Sequence, residues 1–154
     1  MRTFDVQSLE IDAPARRVFE YIADPAHLAE WTGAFKSIMG RRAVLSTPDG
    51  TISIDLDVQA SREHGTIDWA MTFPDGSLAS AFSRVVDSGS GRAIYSFVLL
   101  PPPVPLETIE GALDQQSRIL GEELARLKQI LESRLEHQKE GSRSTGRWPA
   151  AENE

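Results

Sequence analysis

The sequence predicts an α+β domain: one antiparallel sheet of six or seven strands, two short helices after the first strand, and one long C-terminal helix. Three observations carry this. Residues 36 to 100 hold apolar runs separated by glycine-bearing turns. Before them, "APARRVFEYIADPAHLAEW" (13 to 31) contains two helical segments, each opened by a proline. After them, from Leu106 to about Gln138, the apolar spacing becomes helical.

Composition bounds the rest. A chain of 154 residues with 40% hydrophobic and 25% charged residues suits one globular domain. A net charge of −7 argues against nucleic acid or an anionic membrane as main partner. The absence of cysteine excludes disulfides, thiol catalysis and thiolate metal sites. "MRTFDVQSLE" lacks an apolar core of signal-peptide length, and no run approaches the roughly 18 apolar residues of a membrane span. The cytoplasm is the default setting.

The first strand spans 3 to 11. Phe4 and Val6 alternate, Ser8 breaks the register, and Leu9 and Ile11 follow, which reads as a bulge. Asp12 and Pro14 start a helix with Val18, Phe19 and Ile22 on one face. Asp24 and Pro25 start a shorter one, where Leu28 and Trp31 share a face and Gly33 lies past the end. Turns at 48–50, 63–65, 74–76 and 88–91 divide the strands that follow. In "TISIDLDV", Ile52, Ile54, Leu56 and Val58 share a face opposite Asp55 and Asp57. In "TIDWAMTF", Ile67, Trp69, Met71 and Phe73 do so opposite Asp68. "PPPVP" (101–105) is a stiff loop. The long helix carries a stripe of Ile109, Leu113, Leu120, Leu124, Leu127 and Leu131. The domain spans 1–138, and 139–154 reads as a disordered tail.

The spacing I-x-A-P-x-x-x-V-F-x-Y-I-x-D-P-x-x-L-x-x-W, from Ile11 to Trp31, together with this element order, resembles the SRPBCC or START-like superfamily of polyketide cyclases, lipid-transfer domains and birch-pollen-type allergens. The resemblance implies a helix-grip fold: a curved sheet closed at one end by a V of two short helices, with the long helix across its concave face. It also implies a cavity for an apolar ligand between helix and sheet, with Trp31 near the mouth.

Candidate cavity residues follow from parity. Trp69, Met71 and Phe73 are cavity wall or plain core, which share one face here. On strand 78–86, Leu78, Ser80, Phe82, Arg84 and Val86 share a face opposite Ala79, Ala81, Ser83 and Val85. If the larger set points inward, Ser80, Phe82 and Arg84 do too, and Arg84 then needs a carboxylate; otherwise Arg84 reaches solvent. Strand 93–100 is apolar on both faces: Tyr95, Phe97 and Leu99 compete with Ile94, Val98 and Leu100. Either something covers it, such as another subunit in a homodimer, or the strand's register differs from this alternation. Gln116 sits on the helix stripe between Leu113 and Leu120, so it contacts a ligand, bonds the sheet or leans outward.

The three histidines are scattered, with no metal-ligand spacing, nucleophile elbow, phosphate loop or dinucleotide fingerprint. No metal or cofactor is expected. Three functions are consistent with this reading: a carrier or sensor of a small hydrophobic ligand, a cyclase-, aromatase- or dehydratase-type enzyme whose cavity orients a reactive chain, or a dimerising interaction module.

Overall fold

The computed structural model describes residues 2–47, 49–100 and 109–144, with the side chains of the last segment described over 111–138. Seven strands form one antiparallel sheet: β1 (Asp5–Ile11), β2 (Phe35–Met39), β3 (Arg42–Thr47), β4 (Gly50–Ser61), β5 (Thr66–Thr72), β6 (Leu78–Asp87) and β7 (Ala93–Leu99). Their order is β1-β7-β6-β5-β4-β3-β2. Each of β2 to β7 pairs with its neighbour in sequence, and the first strand closes on the last. Helix α1 (Ala15–Ala23), a 3-10 turn (Pro25–His27) and α2 (Leu28–Trp31) follow β1; α3 spans Ile109–Ser144. This is the α+β helix-grip architecture, with its curved sheet, short helices and long C-terminal helix.

Local chemistry explains the short helices. The Asp24 carboxylate accepts from Ala26 N at 3.0 Å, with Pro25 in the first position. α1 begins directly after Pro14 without a side-chain cap, so Asp12 does not cap it. Instead the Asp12 backbone N–H donates to Glu132 of α3 at 2.9 Å. Val18, Phe19, Tyr21, Ile22, Leu28 and Trp31 are buried, as are Leu113, Leu120, Leu124, Leu127 and Leu131 of α3. Gly65 closes the β4–β5 hairpin at φ +70°, where a Cβ would stand 2.3 Å from Val85 O. Only glycine fits that approach.

Four expectations need correction. β1 pairs with β7 in unbroken register, Asp5↔Leu99 through Ile11↔Ala93, without a bulge. Gln7 faces α3 and donates to Ser117 O at 2.7 Å, while Phe4 and Val6 are exposed. The register shift lies between Phe35 and Ser37 of β2.

On β6 the small face points inward. Ala79, Ala81, Ser83 and Val85 are buried or half-buried, whereas Leu78, Ser80, Phe82, Arg84 and Val86 are exposed. The register gives the reason: Met71 pairs with Ala79, Trp69 with Ala81, Phe97 with Ser83 and Tyr95 with Val85. Large residues on the flanking strands fill the space, so the strand between them carries small ones. β7 resolves the other way, with Tyr95, Phe97 and Leu99 inward and Ile94 exposed. Finally, α3 runs to Ser144, past the expected end near 138. The proline loop, most of the expected tail (145–154) and Trp148 lie outside the described residues.

Candidate ligand-binding site

A cavity of about 590 Å³ lies between α2, the inner faces of β5, β6 and β7, and α3. Eight of the twelve candidate residues border it: Trp31, Trp69, Met71, Phe73, Phe97, Gln116 and Leu120, and Ser80 from its exposed position on β6. The other four do not. Tyr95 and Leu113 are fully buried in the core and do not line the cavity. Phe82 and Arg84 lie on the outer face of β6, and Arg84 Nε donates to His64 O at 3.2 Å. Arg84 needs no buried carboxylate. A hollow of about 640 Å³ lies by the start of α1 and the β4–β5 turn, lined by Arg16, Arg62, Glu63 and Arg84. Its wall is charged, so the apolar cavity is the better ligand site.

Each wall has a local origin. The inward parity of β5 delivers Trp69, Met71 and Phe73. Trp69 stacks obliquely on Phe97, with centroids 5.8 Å apart and planes at 30°. Ala79 and Ala81 between them leave the volume that larger side chains would fill. α2 contributes Leu28 and Trp31; Thr32 spends its hydroxyl on Leu28 O at 2.6 Å. From α3 come Gln116, Leu120 and Glu123, at spacings of four and three on one helical face.

Glu123 was not singled out from sequence, although it follows Gln116 by seven residues and therefore shares its face. Its Oε1 accepts from Gly33 N at 2.8 Å, tying α3 to the segment after α2. Burial pushes its carboxyl above the usual range, and the Gly33 N–H only partly opposes that. Other missed lining residues include Thr32, Ala34, Phe35, Ala79, Ala81 and Leu99. The alanines were legible as the small partners of Trp69 and Met71, had register been considered.

Three buried polar atoms have no hydrogen-bond partner among the described residues: Trp31 Nε1, Trp69 Nε1 and Tyr95 Oη. Burial raises the Tyr95 phenol above its usual range. A second polar cluster, Tyr21–Glu30–Arg134, holds the short helices to α3. The Tyr21 hydroxyl donates to Glu30 at 2.5 Å, Arg134 pairs with Glu30 at 3.0 Å, and its guanidinium lies 5.0 Å from the Tyr21 ring. Burial, then the Glu30 contact, raises the Tyr21 phenol. Among the described residues no group of three or more His, Asp or Glu could hold a metal, and no helix is long and apolar enough to cross a membrane.

No family model and no curated protein matches the chain. Solved structures do. XoxI from Bacillus cereus superposes with a TM-score of 0.63 at 18% identity, over 84% of this chain and 96% of that one. The Zhui aromatase/cyclase from Streptomyces sp. R1128 gives 0.61 at 14% identity, over 86% and 94%. A START superfamily protein from Mycobacterium smegmatis gives 0.55 at 16% identity, over 89% and 99%. At such identities the likeness is one of fold. The chain therefore has the SRPBCC/START-like, helix-grip fold that Ile11 to Trp31 resemble in sequence.

Proposed function

We propose that the chain is a cytoplasmic carrier or sensor that binds a small hydrophobic or amphipathic molecule, such as a lipid or polyketide, in the cavity under α3. The observation that carries this is a cavity of about 590 Å³ walled by Trp31, Phe35, Trp69, Met71, Phe73 and Phe97. That volume falls within the range of small-molecule sites. Apolar surface left uncovered inside a domain costs stability, and an apolar occupant recovers it. N-phenyl-1-naphthylamine, a neutral fluorophore, should bind saturably at one site per chain. Ala81→Phe, which fills the cavity between Trp69 and Phe97, should abolish that binding while the chain stays folded. Unchanged binding in Ala81→Phe would end this reading. Native mass spectrometry of gently purified protein should show a copurified small molecule.

Glu123 supports an alternative within the same cavity, an enzyme of cyclase, aromatase or dehydratase type. A half-buried carboxyl with a raised pKa can exchange a proton with a bound chain. Turnover of a polyketide-like substrate that vanishes in Glu123→Gln would establish it.

We also propose a homodimer through the outer sheet face, a reading about assembly rather than chemistry. Register aligns Val6, Val98 and Phe82 in one row across β1, β7 and β6, and Ile94 with Val86 in another. Val6, Phe82, Val86 and Ile94 are exposed. Of the outer residues on these strands, Glu10 and Arg84 are oppositely charged, so the face is nearly neutral in a chain of charge −7. A second copy meets little net charge there. Sedimentation should give a dimer that Phe82→Glu converts to monomer. A monomer for the unsubstituted chain at all concentrations would exclude it.

A further inference from the structure

The ligand cavity contains one ionisable lining residue among those described, Glu123. Its carboxylate is half-buried, and no Lys, Arg or His forms an ion pair with it among the described residues. Oε1 is engaged by the Gly33 N–H at 2.8 Å, while Oε2 has no hydrogen-bond partner among the described residues. Gln116 lies two helical turns away, roughly 10 Å along α3, with Leu120 between them in the cavity wall. The roof thus reads polar, apolar, polar, above an apolar floor of Trp69 and Phe97.

A free carboxylate oxygen accepts hydrogen bonds and donates none. A ligand hydroxyl or N–H placed against Oε2 gains a charge-assisted bond. A ligand carboxylate in the same place meets a like charge at a half-buried carboxylate. Resting on the cavity reading above, we infer that Glu123 is a specificity-determining residue, selecting ligands that carry a hydrogen-bond donor at the α2 end of the cavity and rejecting anionic amphiphiles such as free fatty acids. Its charged neighbours on α3, Arg126 and Glu122, act on it in opposite directions, and neither lines the cavity.

Equilibrium dialysis of three probes sharing one ring system tests this: 2-methylnaphthalene, 2-naphthol and 2-naphthoate. The wild-type chain should bind 2-naphthol about tenfold more tightly than 2-naphthoate near neutral pH, a difference of about 1.4 kcal/mol. In Glu123→Leu, 2-naphthol should bind no better than 2-methylnaphthalene. In Glu123→Gln, whose side-chain oxygen still accepts from Gly33 and keeps the fold, 2-naphthoate should rise to within about twofold of 2-naphthol. Naphthoate binding to the wild type should also strengthen as pH falls and Glu123 protonates. Glu123→Gln reports the ligand's own titration, so the difference between the two profiles belongs to Glu123; a purely structural role would leave them parallel. Equal binding of all three probes by the wild type overturns the inference and leaves the cavity reading standing. Failure of all three, 2-methylnaphthalene included, overturns both.

Discussion

At Gly65 the backbone turns at φ +70°, its carbonyl accepts from Val85 N at 2.8 Å, and a Cβ would meet Val85 O at 2.3 Å. Gly65→Ala should therefore cost about 2–4 kcal/mol by chemical denaturation. Gly76, at φ +85° with nothing within 4 Å, isolates the conformational part, so Gly76→Ala should cost about 1 kcal/mol. Equal losses at the two sites would remove the close-approach argument. Tyr95 shows the opposite case. Its hydroxyl is buried and has no hydrogen-bond partner among the described residues. Tyr95→Phe should be neutral or slightly stabilising, because it removes an unsatisfied buried group. Tyr95 and Tyr21 both have phenol pKa values raised by burial. A group whose folded pKa is raised contributes stability that is intact below its unfolded value, about 10, and is lost as pH rises above it. The unfolding midpoint should fall steeply above about pH 10, and less steeply in Tyr95→Phe. Gly65 was legible in sequence as a turn residue, but the approach of Val85 belongs to the hairpin's register and was not.

Helix α3 is held by its apolar stripe, with polar ties at each end. Leu127 is fully buried, so Leu127→Ala should cost about 2–5 kcal/mol. Arg134 is 55% exposed and its partner Glu30 41%, so Arg134→Ala should cost less than about 1 kcal/mol. Urea titrations of the two variants separate these contributions; a larger loss at Arg134 would make the ion pair and its contact with Tyr21 the real clamp. The stripe was readable from periodicity because a helix against a sheet offers one face, and that face repeats every 3.6 residues. Strands β4 and β5 were readable for the same reason with period two. β6 was misread because side-chain size was taken as a guide to facing. In a concave sheet, size inside is shared among neighbours. Trp69 and Phe97 on the flanking strands require Ala81 and Ser83 between them, and Phe82 is left outside. A single strand's sequence does not contain that constraint; the register of three strands does. Glu123 escaped notice because a glutamate on a long, heavily charged helix resembles its solvated neighbours, and only the helix phase relative to the cavity sets it apart.

Across the whole molecule, sheet and α3 are separate layers joined by the core and by contacts of α3 with β1 and α2, and the cavity occupies the gap the layers leave. Occupancy therefore couples to global unfolding, since only the assembled layers form the wall. A ligand at 100 times its dissociation constant should stabilise the fold by about 2.7 kcal/mol. For a domain of this length that corresponds to a rise in Tm of roughly 5–10 °C. Gln116→Leu tests the same coupling without ligand. The amide faces a cavity with few polar partners, so the substitution should hold or raise the Tm of the unliganded chain while changing the affinity for N-phenyl-1-naphthylamine. The two measurements constrain each other. A dye that binds without raising Tm has found surface or partly unfolded chain rather than the cavity. A Gln116→Leu variant with lowered Tm and unchanged dye affinity would show that Gln116 bonds the protein rather than facing the occupant. If Ala81→Phe then raises the Tm of the empty chain and removes the ligand-induced rise together, the unfilled space between Trp69 and Phe97 is the site, and the fold trades part of its packing for the ability to bind.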